Sequence, residues 1–175
     1  MDWAQPFELF GKAVAALAAI VGAWWAVEKW RTRDEHFPRV YFEVAVNFLG
    51  SKDEHVLVEL IATLENKGLV PLKIRNFSFK LLGLKVTDPL ARGGKGIRGQ
   101  LRFPHVLEEG AFVPPDWEYS FVYPGVKTEY NYIASIPQDV SYVRIQGDFE
   151  YLRTGATHHA AKVLKVPNPA LQPTR

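Results

Sequence analysis

Five histidines, one methionine and no cysteine are all the soft-ligand chemistry that these 175 residues carry. The missing thiol removes disulfides, thiolate zinc sites, iron–sulfur clusters and a cysteine nucleophile together. His158 and His159 are neighbours, and in a strand neighbours point to opposite faces, so the two do not share one metal ion. His36, His55 and His105 have no carboxylate at the usual ligand spacings. No metal site is expected.

Phosphate and acyl chemistry fare no better. The run Arg92-Gly93-Gly94-Lys95-Gly96-Ile97-Arg98-Gly99 has the glycines and cations of a phosphate cradle. A P-loop also needs a glycine five positions before its Gly-Lys pair and a hydroxyl residue after it, and the chain has Pro89 and Gly96 there. No Gly-x-Ser-x-Gly elbow occurs, and Glu108 and Glu109 have no reason to share a pocket. Arg31 and His36 stand at the spacing of the catalytic pair in HEPN-type ribonucleases, a pair that works only in a helical dimer. Here that spacing reads as a basic collar with an incidental histidine. Trp117, Tyr119, Phe121 and Tyr123 alternate along one segment, which reads as buried core rather than a base-stacking platform. Neither catalytic residues, nor a cofactor, nor a nucleic-acid partner is expected. The chain does not read as an enzyme.

Charge is more informative locally than globally. Lys and Arg number 21 against 19 Asp and Glu, a net charge of +2 that announces no partner. Residues 85–102 nevertheless hold five bases (Lys85, Arg92, Lys95, Arg98, Arg102) and one acid, Asp88. Residues 104–126 hold four acids (Glu108, Glu109, Asp116, Glu118) and no base. Two such segments can pair within a domain or between copies. Arg92, Lys95, Arg98, Arg102, Glu108 and Glu109 are therefore candidate interaction-loop residues, and anionic headgroups are a further candidate for the bases.

These groups need positioning, and two kinds of element offer it. Residues 13–27 read AVAALAAIVGAWWAV, fifteen positions without a charge. Trp3 and Phe7 flank the run on one side and Trp24, Trp25 and Trp30 on the other, an aromatic-belt arrangement. With Pro6 in the first turn, this predicts a single transmembrane helix within residues 1–36. Bases concentrate after it, at Lys29, Arg31, Arg33 and Arg39, which puts the C-terminal side in the cytoplasm. Gly11, Ala15, Ala19 and Ala23 recur every fourth residue, the small-xxx-small pattern that lets helix backbones approach closely.

From residue 37 the period becomes two. Val40, Phe42, Val44, Val46 and Phe48 alternate, as do Val56, Val58, Leu60, Ala62 and Leu64, with a polar turn at residues 50–54 between them. In residues 72–84 the apolar phase slips from Leu72 and Ile74 to Phe77, Phe79 and Leu81, the signature of a β-bulge. Further strands are expected at residues 100–103, 117–123, 127–136, 143–151 and 159–166, with a reversal at Asn66-Lys67-Gly68. Seven or eight strands with no helical pattern between them predict a mainly β fold, an antiparallel immunoglobulin-like sandwich over residues 37–166. Val44, Leu60, Phe79, Phe121 and Ile145 should lie in its core, and residues 167–175 form a proline-rich tail. The functional expectation is a single-pass, membrane-anchored interaction or accessory module whose sandwich binds a protein or further copies of itself on the cytoplasmic face. Its partners are membrane lipid and a homo-oligomer or other protein. The alternative is an oligomeric membrane assembly or pore-type effector built from the N-terminal helices.

Overall fold

The computed structural model describes residues 4–31, 39–93, 100–114 and 116–167. The chain divides into two compact units, residues 1–37 and 38–175.

The first unit is one helix, α1 (Ala4–Arg31). Alanine and unbranched side chains favour helix, and Gly22 is its one interior glycine after residue 11. Among the described residues no helix is long and apolar enough to cross a membrane, so the expected transmembrane span is without support from the helix itself. Length is not the limit, because 28 residues rise about 42 Å. Apolarity is: seven of the fifteen residues at 13–27 are alanine. At 1.5 Å per residue the uncharged run covers only about 22 Å of a roughly 30 Å hydrocarbon core.

The second unit is mainly β, with eight strands in two antiparallel sheets. One sheet orders β1 (Val40–Lys52), β2 (His55–Asn66) and β6 (Lys127–Pro137) as β1-β2-β6. The other orders β4 (His105–Ala111), β3 (Leu72–Lys85), β7 (Val140–Tyr151) and β8 (Thr157–Lys165) as β4-β3-β7-β8. The short β5 (Ser120–Val122) pairs with the start of β3, on residues Leu72–Ile74. The inner faces supply the alternating residues the sequence predicts, with Val44, Leu60, Phe79 and Ile145 all buried. Phe42, Phe77, Phe112 and Phe149 fill the space between them at ring separations of 5.0–6.0 Å. Across one side of the sandwich Lys162 of β8 holds Glu43 of β1 at 2.8 Å. Across the other, Tyr130 and Tyr132 of β6 meet Ser120 of β5 and Glu108 of β4.

The phase slip in β3 is a bulge. Register shifts between Arg75 and Ser78, and Asn76 takes φ of 52°. Arg75 and Asn76 both donate to the Glu150 carboxylate, at 2.6 and 2.9 Å, which holds that carboxyl below the usual range. β1 and β2 run longer than their alternation suggests. They meet in a two-residue reversal with Asp53 and Glu54 both left-handed, the backbone of a type I′ hairpin.

Three expectations change. Glu108 and Glu109, read as interaction-loop residues, lie on a strand, because β4 pairs with β3 through Ser78–Gly83. Residues 100–103 form only an isolated bridge, Arg92 to Leu101. Phe121 is not core; it is 51% exposed. Residues 168–175, and with them most of the expected tail, lie outside the described residues.

Candidate interaction surfaces

Three surfaces carry the candidate residues. On α1, Val14, Leu17, Ile20, Val21, Trp24, Trp25 and Val27 are each more than half exposed. At 3.6 residues per turn these large side chains share about half of the circumference, and Ala15, Ala18, Ala19, Gly22, Ala23 and Ala26 occupy the other half. Ala15, Ala19 and Ala23 thus belong to a broad face of small residues rather than a narrow stripe. Gly11 lies on the helix, but nothing is described of its surroundings. His36 lies outside the described residues, so the Arg31–His36 spacing acquires no structural context.

The second surface is the sandwich end that carries the β1–β2 hairpin, the β6–β7 turn and the β3–β4 connection. Gln138 donates to the Glu54 carbonyl there and Val86 to that of Asp139. The basic segment leaves the core at this end. Its base is tied by Asp88, which accepts from the Lys85 N–H at 2.7 Å and from His105 at 3.0 Å. Those two partners hold the Asp88 carboxyl below its ordinary value, the Lys85 N–H foremost. Arg92 and Arg102 stand on the two arms of the small ladder, where Arg102 donates to the Ala91 carbonyl. Lys95 and Arg98 lie outside the described residues. Two of the four acids expected to pair with these bases, Glu108 and Glu109, are engaged elsewhere. Glu109 pairs with Lys80 of β3 at 2.8 Å, and Tyr132 donates to Glu108 at 3.4 Å. Among the described residues no ion pair joins the basic segment to the acids of β4.

The third surface was hidden in the sequence. Trp117, Tyr119, Phe121 and Tyr123 point outward, while Ser120 and Val122 are buried. Register decides this. Directly opposite residues share a face, and β5 places Val122 against Leu72, Ser120 against Ile74, and Phe121 against the outward Lys73. Lys73 Nζ lies 5.0 Å from the Tyr119 ring centroid, and Phe121 meets Tyr123 edge-on at 5.1 Å. The signal available was the pairing partner: once Leu72 and Ile74 are inward, Phe121 must face out.

Asn66 organises the loops beside this strand. It is fully buried at the end of β2. Its side-chain amide donates to Val70 O at 2.8 Å and Val122 O at 3.0 Å, and its Oδ1 accepts from the Gly68 N–H at 3.0 Å. Its backbone exchanges bonds with Val126 and Gly125. The side chain therefore ties the 67–71 loop to the end of β5, and the backbone of the same residue holds the 123–126 turn, where Gly125 takes φ of 74°. The reversal expected at Asn66-Lys67-Gly68 is built by this side chain rather than by positive φ.

The histidines behave as neighbours on a strand should. His159 faces out to Asp148 at 2.6 Å; His158 faces in, against Phe42 and Phe149, with Tyr151 Oη 2.7 Å from its Nδ1. Burial holds the His158 pKa below its ordinary value, with His159 adding to the effect.

The class the fold defines is a two-sheet antiparallel β-sandwich. No family model matches the chain, and no curated protein does. Solved structures similar to it include structural genomics target SoR45, at 15% identity and TM-score 0.45 over 78% of this chain and 92% of that one. A putative ApaA protein from Bordetella pertussis is similar at 13% identity and TM-score 0.45, over 74% and 95% of the two chains. The sporulation control protein Spo0M of Bacillus subtilis is similar at 10% identity and TM-score 0.42, over 71% and 48%.

Proposed function

We propose that the chain is an accessory interaction module held at a membrane, with α1 as the anchor and the sandwich as the binding domain. One observation carries this reading: eight large apolar side chains between Val14 and Trp30 stand more than half exposed on the helix of a separate compact unit. Exposed apolar side chains on this scale are stable when something apolar covers them. Its division into a bulky and a small-residue half supports anchoring by several copies together. Small faces allow close backbone approach between helices, and bulky faces meet acyl chains. Such a bundle relieves the weak hydropathy that a lone helix shows. The sandwich then stands on the cytoplasmic side, because the bases Lys29, Arg31, Arg33 and Arg39 follow the apolar run.

Size in detergent tests the reading. The purified chain should run as an oligomer, and Ala15→Leu with Ala19→Leu, which stay apolar while filling the small face, should shift it toward monomer. An unchanged size would reduce the helix to a tether.

A further inference from the structure

We propose that the sandwich end at which β1 begins is itself a contact surface for an anionic lipid bilayer. This inference rests on the membrane reading above, but on different residues.

The elements that meet at this end are the start of β1, the 67–71 loop, the 123–126 turn and the 151–157 connection. Antiparallel register brings them together, since Val40 pairs with Asn66, Glu65 with Lys127, Leu72 with Val122 and Glu150 with Thr157. Large apolar side chains project from them. Leu69 is 72% exposed, Tyr123 58%, Phe121 51% and Val126 43%. Bases surround these tips: Arg39, Lys67, Lys73, Lys127 and Arg153, all exposed. The acids among them are Glu65 and Glu129, each 3.4 Å from one lysine, Lys67 and Lys127 respectively, and Glu150, which is paired with Arg75 at 2.6 Å. Arg39, Lys73 and Arg153 face no acid within ion-pair distance among the described residues, so this end keeps a positive excess.

Loop tips are poor insertion devices when they are loose, and these are fixed. Asn66 bonds to both the loop carrying Leu69 and the turn beside Tyr123 and Val126. Lys67 also donates its N–H to the Arg39 carbonyl at 2.6 Å. The arrangement is pre-organised, so little ordering is left to oppose binding.

Chemistry separates a lipid surface from a protein partner. Protein interfaces are depleted in lysine. Here three lysines ring exposed aromatics, one with its ammonium over the Tyr119 ring and another over the Tyr41 ring. Amphipathic aromatic rings flanked by long basic side chains suit the headgroup layer, where rings sit at the polar boundary and ammonium groups meet lipid phosphates. The basic segment at the far end of the sandwich, with Arg92 and Arg102, points away from such a contact.

The absence of cysteine makes the test clean. Full-length chain carrying Leu69→Cys, or Lys52→Cys in the opposite hairpin, is labelled with the environment-sensitive dye NBD. It is then mixed with phosphatidylcholine vesicles with or without phosphatidylserine, and vesicle binding is followed in parallel by sedimentation. The dye at 69 should shift to the blue and brighten with phosphatidylserine vesicles, and the dye at 52 should not. Lys73→Gln and Arg153→Gln should each raise the lipid needed for half of that shift, roughly fivefold per charge. If the chain sediments with vesicles but the dye at 69 stays unchanged, this inference fails while the anchor stands. If the chain does not sediment with vesicles, both fail. Equal shifts at 69 and 52, or no effect of the two glutamine variants, would also overturn it.

Discussion

Replacing Asn66 with alanine should be among the most damaging single changes available in this chain. The side chain is fully buried and makes three hydrogen bonds to backbone atoms, two in the loop that follows it and one at Val122 of β5, 56 residues away. A buried hydrogen bond contributes about 1 kcal/mol net, and leaving its partner unsatisfied costs about 1–3 kcal/mol. Three bonds, with some relief as water reaches the loop carbonyls, give a loss of roughly 3 kcal/mol, against a total of roughly 5–15 kcal/mol for a domain. Asn66→Asp is the control. It keeps the acceptor for Gly68, loses both donors and buries a charge, so it should do no better than alanine. Urea unfolding followed by near-ultraviolet circular dichroism reads both variants, because the aromatic core lies in the same sandwich. A loss under about 1 kcal/mol for Asn66→Ala, at unchanged m-value, would refute the clamp, since ordinary surface changes stay within about 0.5 kcal/mol.

Other outcomes follow from the packing. A Cβ on Gly147 would lie 2.7 Å from Val44 Cγ1 and 2.9 Å from Phe42 Cζ, so Gly147→Ala should cost about 1–3 kcal/mol in the same urea assay. Phe79→Ala should lose about 3–5 kcal/mol. Phe121→Ala should lose under about 1 kcal/mol, because Phe79 is buried and Phe121 faces solvent. His158 is held neutral by burial, below its ordinary 6.5, so the unfolded chain takes up that proton first as pH falls. Its stabilising contribution is complete above about 6.5 and is lost as pH drops through the window below. His158→Phe should flatten that part of the stability–pH curve relative to the native chain, and a curve of unchanged slope would count against it.

Strand alternation carried most of the fold into view. The bulge in β3 was legible because Leu72 and Ile74 fall out of phase with Phe77 and Phe79, and the fold obeys that phase with Asn76 left-handed at the slip. β4 was not legible. Its residues His105–Ala111 do not alternate cleanly, and its pairing to β3 slips between Leu81 and Leu82. What marks it is close packing: a Cβ on Gly110 would meet the Phe79 ring at 3.0 Å. The aromatic segment misled because hydrophobicity alone puts Phe121 inside. The side a short edge strand presents is set by its partner's phase, and a period-two pattern read one strand at a time does not contain it. The helix was legible as a helix, but fifteen uncharged residues rich in alanine do not supply the apolarity of a span. The candidate loops divided in the same way. The charges were visible, yet Lys80, the cross-strand neighbour of Glu109, follows only from register, and Tyr132, which reaches Glu108 from the other sheet, only from how the sheets pack.

Flotation tests the central claim most directly. Full-length protein mixed with phosphatidylserine-containing vesicles beneath a density gradient should rise with the lipid and remain with it in high salt, since the exposed apolar side chains of α1 rather than screened charges hold it there. Ala19→Arg, which puts a charge in the middle of the apolar run, should leave the protein at the bottom of the gradient. Native protein that stays at the bottom, or an Ala19→Arg variant that floats as well as the native chain, would contradict the account.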